Sequence, residues 1–334
     1  YSQAVDPRYP SPVFDSQREI HDSIIGLLDN AIVHLEQGQD FKKLNDFTFD
    51  GDQTKWIATA RTLQARIRLN WAEVDGINAY QEALAYAEQG ISEPSGSDDW
   101  KPLHRAGNND EESIWHQFFN ENFNDIMAHG GAGLLLVDML KKDQDGRLPI
   151  YFSQSVYNSG DHSAFNDSIV GTAPYDTLPP PYPSHLNQDT FGAEDWGVQW
   201  VSWHENQFIK MECQYKLGQE SNAQNTLNNT LLAMESNWQE VDPLCILPRY
   251  GNMNSEDLFA AIMNEKYKTM FLNMQALSDW RRTGYPIFLD GSGNSTECIS
   301  GTPRRLPYSD LEKSANPNAP TGDSIYDRVQ NDPN

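Results

Sequence analysis

Aromatic residues in irregular stretches are the side chains of this sequence best suited to bind a ligand. A flat ring that no helix buries can stack on the C–H face of a sugar or on another apolar ligand surface, while nearby Asn, Asp and Gln side chains bind hydroxyl groups. The alternative, in which each ring only anchors its loop to the helices, stays open. Six rings lie in loop-rich regions, and we predict that they bind ligand: Trp100, Trp115, Tyr157, Tyr175, Tyr182 and Trp196.

Motifs for catalysis, cofactors and metals are missing from the sequence. It contains no nucleophile elbow, H-E-x-x-H pair, phosphate-binding loop or paired C-x-x-C. The glycine run at 130–133 lacks the third spaced glycine of a dinucleotide-binding loop. Residues 143–146 resemble the start of a calcium loop, but Gln154 occupies the twelfth position, where calcium needs a bidentate acid. We therefore interpret 143–146 as a helix-ending turn and predict no enzyme activity, no cofactor and no metal.

Composition excludes several classes of protein. The chain has 334 residues, with 24 Lys and Arg against 48 Asp and Glu, so its formal net charge is −24. Such a chain has no basic surplus to bind nucleic acid. Its 38% apolar and 11% aromatic content excludes a disordered acidic tail. No run approaches the roughly 20 apolar residues of a membrane-spanning helix. Three widely spaced cysteines show no disulfide framework, and the choice between one bridge and three free thiols stays open.

Apolar residues at helical spacing predict the elements that position the loop aromatics. A capping box at 16–19 begins a helix that ends near Gly38, and two hairpins of tetratricopeptide size cover about 54–91 and 200–238. A short helix at about 134–142 and a long helix at about 256–279 follow the same spacing. Loop-rich inserts cover about 92–133 and 150–198. We therefore predict an all-α fold, in which tetratricopeptide-like hairpins form a scaffold with long irregular, ligand-binding loops.

Tryptophans on or beside the helical stripes have a different predicted role. Trp56, Trp71, Trp203 and Trp280 fall at these positions, and we expect them in the core.

Several motifs resemble those of one family, in the same order over nearly the whole chain. The segment 275–286, Q-A-L-S-D-W-R-R-T-G-Y-P, resembles the hallmark of the SusD/RagB family, in its second SusD-like branch. We read Trp280 to Pro286 as a structural latch, because Gly284 and Pro286 end a helix there. The other similar segments are 51–56 at the first hairpin, 145–151 with Gly146 in place of the usual proline, Glu205 and Phe208 leading into 215–218, and the closing 303–308 and 316–318.

The resemblance implies a location, a partner and a ligand. Family members are outer-membrane lipoproteins displayed on the surface of Gram-negative bacteria. They capture a nutrient, usually a glycan, and cover a TonB-dependent transporter of the SusC type. We therefore expect one SusD-like domain over 1–334, with an upstream N-terminal part and its lipid anchor implied by the family only. The family binds sugars through variable loops, so no contact residue is transferred, and the six rings rest on their placement.

Other functions stay open beside glycan capture. The same transport system could take a peptide or another nutrient, and the surplus of acids suits basic peptides. A hydrolase with two carboxylates is a further alternative, because 48 acidic residues allow many pairs. A protein–protein adaptor is the last.

Overall fold

The computed structural model describes residues 2–4, 6–38, 46–108, 110–118, 132–154, 169–171, 183–287, 303–322 and 324–332. Regular structure in these ranges is helical, and strand pairing is limited to two isolated bridges, Trp100 with Val201 and Phe152 with Leu186. The predicted all-α fold is confirmed. In chain order the helices are α1 (Gln17–Glu36), α2 (Gln53–Asn70), α3 (Ala72–Asp75), α4 (Ile77–Ala87), α5 (Ile114–His116), α6 (Leu134–Lys142), α7 (Arg147–Tyr151), α8 (Trp203–Lys216), α9 (Glu220–Trp238), α10 (Ser255–Thr269), α11 (Gln275–Thr283) and α12 (Asp310–Ala315).

The first hairpin is formed by α2 and α4, with α1 packed against α2. Helix α1 begins at the predicted capping box: Ser16 Oγ accepts from the Glu19 amide, and the Glu19 carboxylate accepts from the Ser16 amide at 3.1 Å. Small side chains let α2, α4 and α8 approach closely. The buried side chains at this contact form a cluster that we call the alanine-rich cluster. Its members are Ala65, Leu69, Ala72, Ala79, Tyr80, Ala83, Ala87, Ile209 and Cys213.

The second hairpin is formed by α8 and α9, and α10 packs against both helices. Helix α8 has two buried faces, because Phe208 and Met211 join the main hydrophobic cluster while Ile209 and Cys213 join the alanine-rich cluster. The main cluster also includes side chains of α6, α7, α9 and α10. Both hairpins are confirmed, and α8 connects their cores.

The predicted long helix at 256–279 is wrong, because the structure divides it into α10 and α11. Leu272, between them, has a φ of 62° in the left-handed region, which no α-helix contains. Asn273 Oδ1 accepts from the Gln275 amide at 2.9 Å and satisfies a donor at the start of α11. Apolar spacing persists across the break, so periodicity alone cannot reveal it. As a result, Phe271 and Leu272 contribute to a cleft.

Two groups of buried charges connect the helices. Arg147 donates to Asp145 at 2.5 Å and to Glu265 at 2.6 Å, and Lys268 pairs with the same two acids. In the second group, Arg282 of α11 pairs with Glu212 of α8 and with Asp279. Buried charges are tolerated only when they are paired, so both groups fix the helices that carry them. The second group and the left-handed Gly284 at the end of α11 agree with the predicted latch.

The tryptophans expected in the core are buried to different degrees. Trp71 and Trp203 are buried, whereas Trp56 and Trp280 are partly exposed. Cys213 and Cys245 are free, buried thiols in the two different clusters. Cys298 lies outside the described residues.

Candidate ligand-binding site

A cleft of about 180 Å³ opens where loops meet the ends of α9 and α10. Aromatic, aliphatic and uncharged polar side chains predominate in its lining. The lining residues fall within 94–99, 191–199, 234–241 and 269–273, with Tyr151, Trp203 and His204.

One wall of the cleft is an extended segment that a short bridge holds in place. The Trp100 amide donates to the Val201 carbonyl at 2.8 Å, and the Trp200 amide donates to the Trp100 carbonyl at 2.9 Å. Gly197 packs closely against the segment that contains Pro102, so a Cβ added at Gly197 would lie 2.8 Å from the Pro102 carbonyl oxygen. The glycine therefore permits the approach that positions Trp196 in the cleft.

A second part of the lining comes from the connection between α10 and α11. The Phe271 ring stacks on Tyr151, with centroids 4.8 Å apart and an interplanar angle of 19°. Asn273 Nδ2 donates to the Gln199 carbonyl at 3.4 Å and ties this connection to the extended segment. Beneath them, Arg147 Nη1 donates to Thr269 Oγ1 at 2.9 Å, so the buried charges support the floor of the cleft.

Aromatic rings form the largest apolar surface of the cleft. Trp196 and Trp238 stack with centroids 6.2 Å apart and planes 11° apart, and Phe191 lies 4.6 Å from Trp196. Together with Phe271 we call these rings the aromatic wall. Trp196, Trp238, Phe191 and Phe271 are all half-buried, so parts of their surfaces stay accessible. Such a surface suits the C–H face of a sugar ring.

Asp99 provides the carboxylate of the cleft. Its side chain is buried; Oδ1 accepts from the Trp203 amide at 2.7 Å and Oδ2 from Gln199 Nε2 at 2.9 Å. Burial disfavours the charged form and raises the pKa of Asp99 to about 6, although the Trp203 hydrogen bond and the charge of Lys101 oppose the shift. At neutral pH the cleft therefore contains a negative charge.

The remaining polar groups are uncharged. Burial and the nearby positive charge of Arg147 lower the pKa of His204 to about 4, so its imidazole is neutral and offers one donor and one acceptor. Asn237 Nδ2 donates to the Pro94 carbonyl at 2.6 Å, which orients the amide group. With Gln199 and Asn273, these side chains can exchange hydrogen bonds with hydroxyl or amide groups.

The structure places the predicted ligand-binding rings differently from one another. Trp196 lines the cleft. Trp100 is part of the bridge with Val201 and does not line the cleft; its ring lies edge-to-face between Trp56 at 5.9 Å and Trp200 at 5.0 Å. Trp115 packs against the main cluster. Three predicted rings lie outside the described residues: Tyr157, Tyr175 and Tyr182. Ligand contact stays a prediction for all six.

Sequence reasoning missed other residues of the cleft. Trp238 follows Met234 by one helical turn, so its spacing indicated core rather than ligand. Phe271 was not selected because the sequence predicted a continuous helix over 256–279, whereas the residue lies between α10 and α11. Phe191 lies in the loop-rich insert 150–198, where the criterion that selected Trp196 would also have found it. Asp99 carried no signal among 48 acidic residues.

Residues 143–146 form the turn after α6, as predicted, and their acids are engaged by cations. Asp143 pairs with Lys268 at 2.9 Å, and Asp145 with Arg147. Within the described residues, no group of His, Cys, Asp or Glu could hold a metal ion. No helix in the same ranges has the length and apolar character needed to cross a bilayer.

The sequence matches the model of a SusD-like family, described as starch-binding and associating with the outer membrane, over residues 1–309. This chain belongs to the SusD-like family. The match confirms the family predicted from the sequence, and the closing segment 316–318 lies beyond the matched residues. Among curated proteins, none matches the chain significantly.

Solved structures share the SusD-like fold at low sequence identity. A chitin-binding protein superposes with a TM-score of 0.73 and 21% identity, over 97% of this chain and 74% of that one. A SusD-like protein of the Bacteroidetes gives 0.74 and 19%, over 96% and 78%. A SusD homologue from Bacteroides fragilis gives 0.73 and 19%, over 99% and 78%. At these identities the similarity shows the fold alone.

Proposed function

We propose that this SusD-like protein captures an oligosaccharide of a nutrient glycan and delivers it, unaltered, to a SusC-type TonB-dependent transporter at the outer membrane. The observation that carries the proposal is that the aromatic wall and uncharged polar side chains line the same cleft. The family description as starch-binding and the chitin-binding structural relative support a glycan as the ligand. The proposal includes a lipid anchor and a location on the cell surface, and the family's description as associating with the outer membrane supports both.

Stacking on the aromatic wall gives a modest affinity. Each ring contact contributes about 1 kcal/mol. A few such contacts with several hydroxyl hydrogen bonds correspond to dissociation constants in the micromolar to millimolar range. Weak capture suits a protein that must release its ligand to a transporter.

The composition of the cleft supports binding without catalysis. Glycoside hydrolysis takes two carboxyl groups on either side of the scissile bond. Among the described residues that line the cleft, Asp99 is the only carboxylate, and both of its oxygens accept hydrogen bonds from the protein.

Calorimetric titration with malto-, manno- and chito-oligosaccharides tests the proposal. We expect at least one of them to bind, and Trp196→Ala and Trp238→Ala each to weaken that binding about tenfold, because each removes part of the aromatic wall. Trp200→Ala is the matched control, since Trp200 is 51% exposed and does not line the cleft. Circular dichroism checks that each variant folds.

Two results would contradict the proposal or part of it. Absence of binding to every oligosaccharide by the folded protein counts against a glycan ligand. Equal losses in the Trp196, Trp238 and Trp200 variants would mean that the rings only anchor loops. Trp100→Ala in the same titration tests the sequence-based prediction for that ring.

A cationic peptide is the second candidate ligand, favoured by the net charge of −24. Binding of a basic peptide that weakens steeply with salt would indicate it, because exposed charges are screened at high ionic strength. The affinity for a glycan that binds through stacking and uncharged hydrogen bonds would change little with salt concentration.

A further inference from the structure

We infer that the cleft selects uncharged glycans and rejects glycans that carry carboxylate or sulfate groups. The inference rests on the proposed glycan binding and deepens it by naming the class of glycan. It follows from the charges that line and surround the cleft.

The lining of the cleft offers no positive partner to an anion. Among its described residues none is Lys or Arg. Its histidine, His204, is neutral above acidic pH, and Asp99 adds a negative charge. An anionic sugar would lose the hydration of its charge and gain no opposite charge in the cleft, so its binding is disfavoured. Hydroxyl and N-acetyl groups can form hydrogen bonds with the amide and imidazole side chains.

The two cations that influence the titratable groups of the cleft, Arg147 and Lys101, do not change this balance. Arg147 is fully buried beneath the floor and is paired with Asp145 and Glu265. Lys101 influences Asp99, but its side chain is exposed and does not line the cleft. Neither side chain is placed to meet a ligand in the cleft.

Most of the sequence outside the described residues adds no cation either. The stretches 119–131, 155–168, 172–182 and 288–302 contain Asp and Glu but no Lys or Arg. The whole chain has a net charge of −24, so an anionic glycan also approaches against the overall field.

The test compares each neutral oligosaccharide with its C6-oxidised counterpart, which has the same backbone but carries carboxylates. Titrations of the full chain at pH 7.5 and low salt use malto-, manno- and chito-oligosaccharides and their oxidised forms. We expect oxidation to weaken binding at least tenfold. Oxidised forms that bind as tightly as the neutral ones, and lose that binding in Trp196→Ala, would overturn the inference while glycan capture stands.

A charge-introducing variant separates electrostatics from shape. Val241 lines the cleft and is 50% exposed, so a long polar side chain fits at this position. Val241→Lys should improve the affinity for the oxidised form at least threefold over Val241→Gln, the uncharged control. Equal affinities of these two variants would show that cleft charge does not discriminate and would overturn the inference. If neither neutral nor oxidised glycans bind, the proposed function fails and the inference with it.

Discussion

At the scale of single residues, Asp99 differs from most acidic residues of the protein in how little solvent reaches its carboxylate. The sequence contains 48 acids, most of which solvent can hydrate, but this carboxylate is only 3% exposed beside aromatic rings. Its position depends on contacts distant in sequence, since its partners are Gln199 and Trp203. Residue type predicted Trp196, an aromatic in a loop, whereas Asp99 and His204 could be recognised only from the folded structure.

Burial of Asp99 predicts a pH-dependent cost to stability. Its pKa is raised from 3.8 to about 6, so the folded protein binds the proton more tightly than the unfolded chain. The folded state is therefore favoured at low pH, and this contribution is lost as the pH rises through 6. Relative to Asp99→Asn, we expect the free energy of unfolding of the wild type to fall by about 2 kcal/mol between pH 4 and pH 7.

Urea unfolding followed by tryptophan fluorescence measures this difference. Asp98→Asn, a more exposed neighbour that pairs with Lys55, controls for the loss of a negative charge. A difference between wild type and Asp99→Asn that is constant over the pH range would contradict the prediction.

At the scale of elements, the spacing of apolar residues predicted the helices whose apolar faces are continuous. It failed where the backbone conformation of single residues determines the course of the chain. The two hairpins and the start of α1 follow from apolar spacing and a capping box. The break between α10 and α11 depends on Leu272 in the left-handed region, which its residue type disfavours. The extended wall at 196–201 has no period, and the chain around 102 holds it in place. Hence the scaffold was predictable, but the course of the loops that form the cleft was not.

Gly197→Ala should disturb this wall. The added Cβ would lie 2.8 Å from the Pro102 carbonyl oxygen, so the two backbone segments must separate. We expect a loss of about 1–3 kcal/mol in the free energy of unfolding, together with weaker oligosaccharide binding as Trp196 moves. Gly251→Ala is the matched control, because its Cβ would meet nothing within 4 Å. Equal stabilities of the two variants in urea unfolding would show that the wall is not held by this close approach.

At the scale of the whole molecule, α8 belongs to both hydrophobic clusters. Its side chains alternate between the alanine-rich cluster of the first hairpin and the main cluster beneath the cleft. Arg282 adds a buried charge pair between α11 and Glu212 of the same helix. Neither hairpin can separate without exposing apolar surface and unpaired charge. We therefore propose that the chain folds as one SusD-like domain, as the order of its motifs predicts.

The two buried thiols, Cys213 and Cys245, can report by their reactivity whether each hydrophobic cluster opens. Burial raises the pKa of both Cys213 and Cys245, so neither forms the reactive thiolate until its own cluster opens. We expect iodoacetamide to alkylate both at one common rate in native buffer, more than about 1,000-fold slower than in urea. Peptide mass spectrometry distinguishes them from Cys298. Faster alkylation of Cys213 than of Cys245 would mean that the first hairpin opens alone while the main cluster and the cleft stay intact.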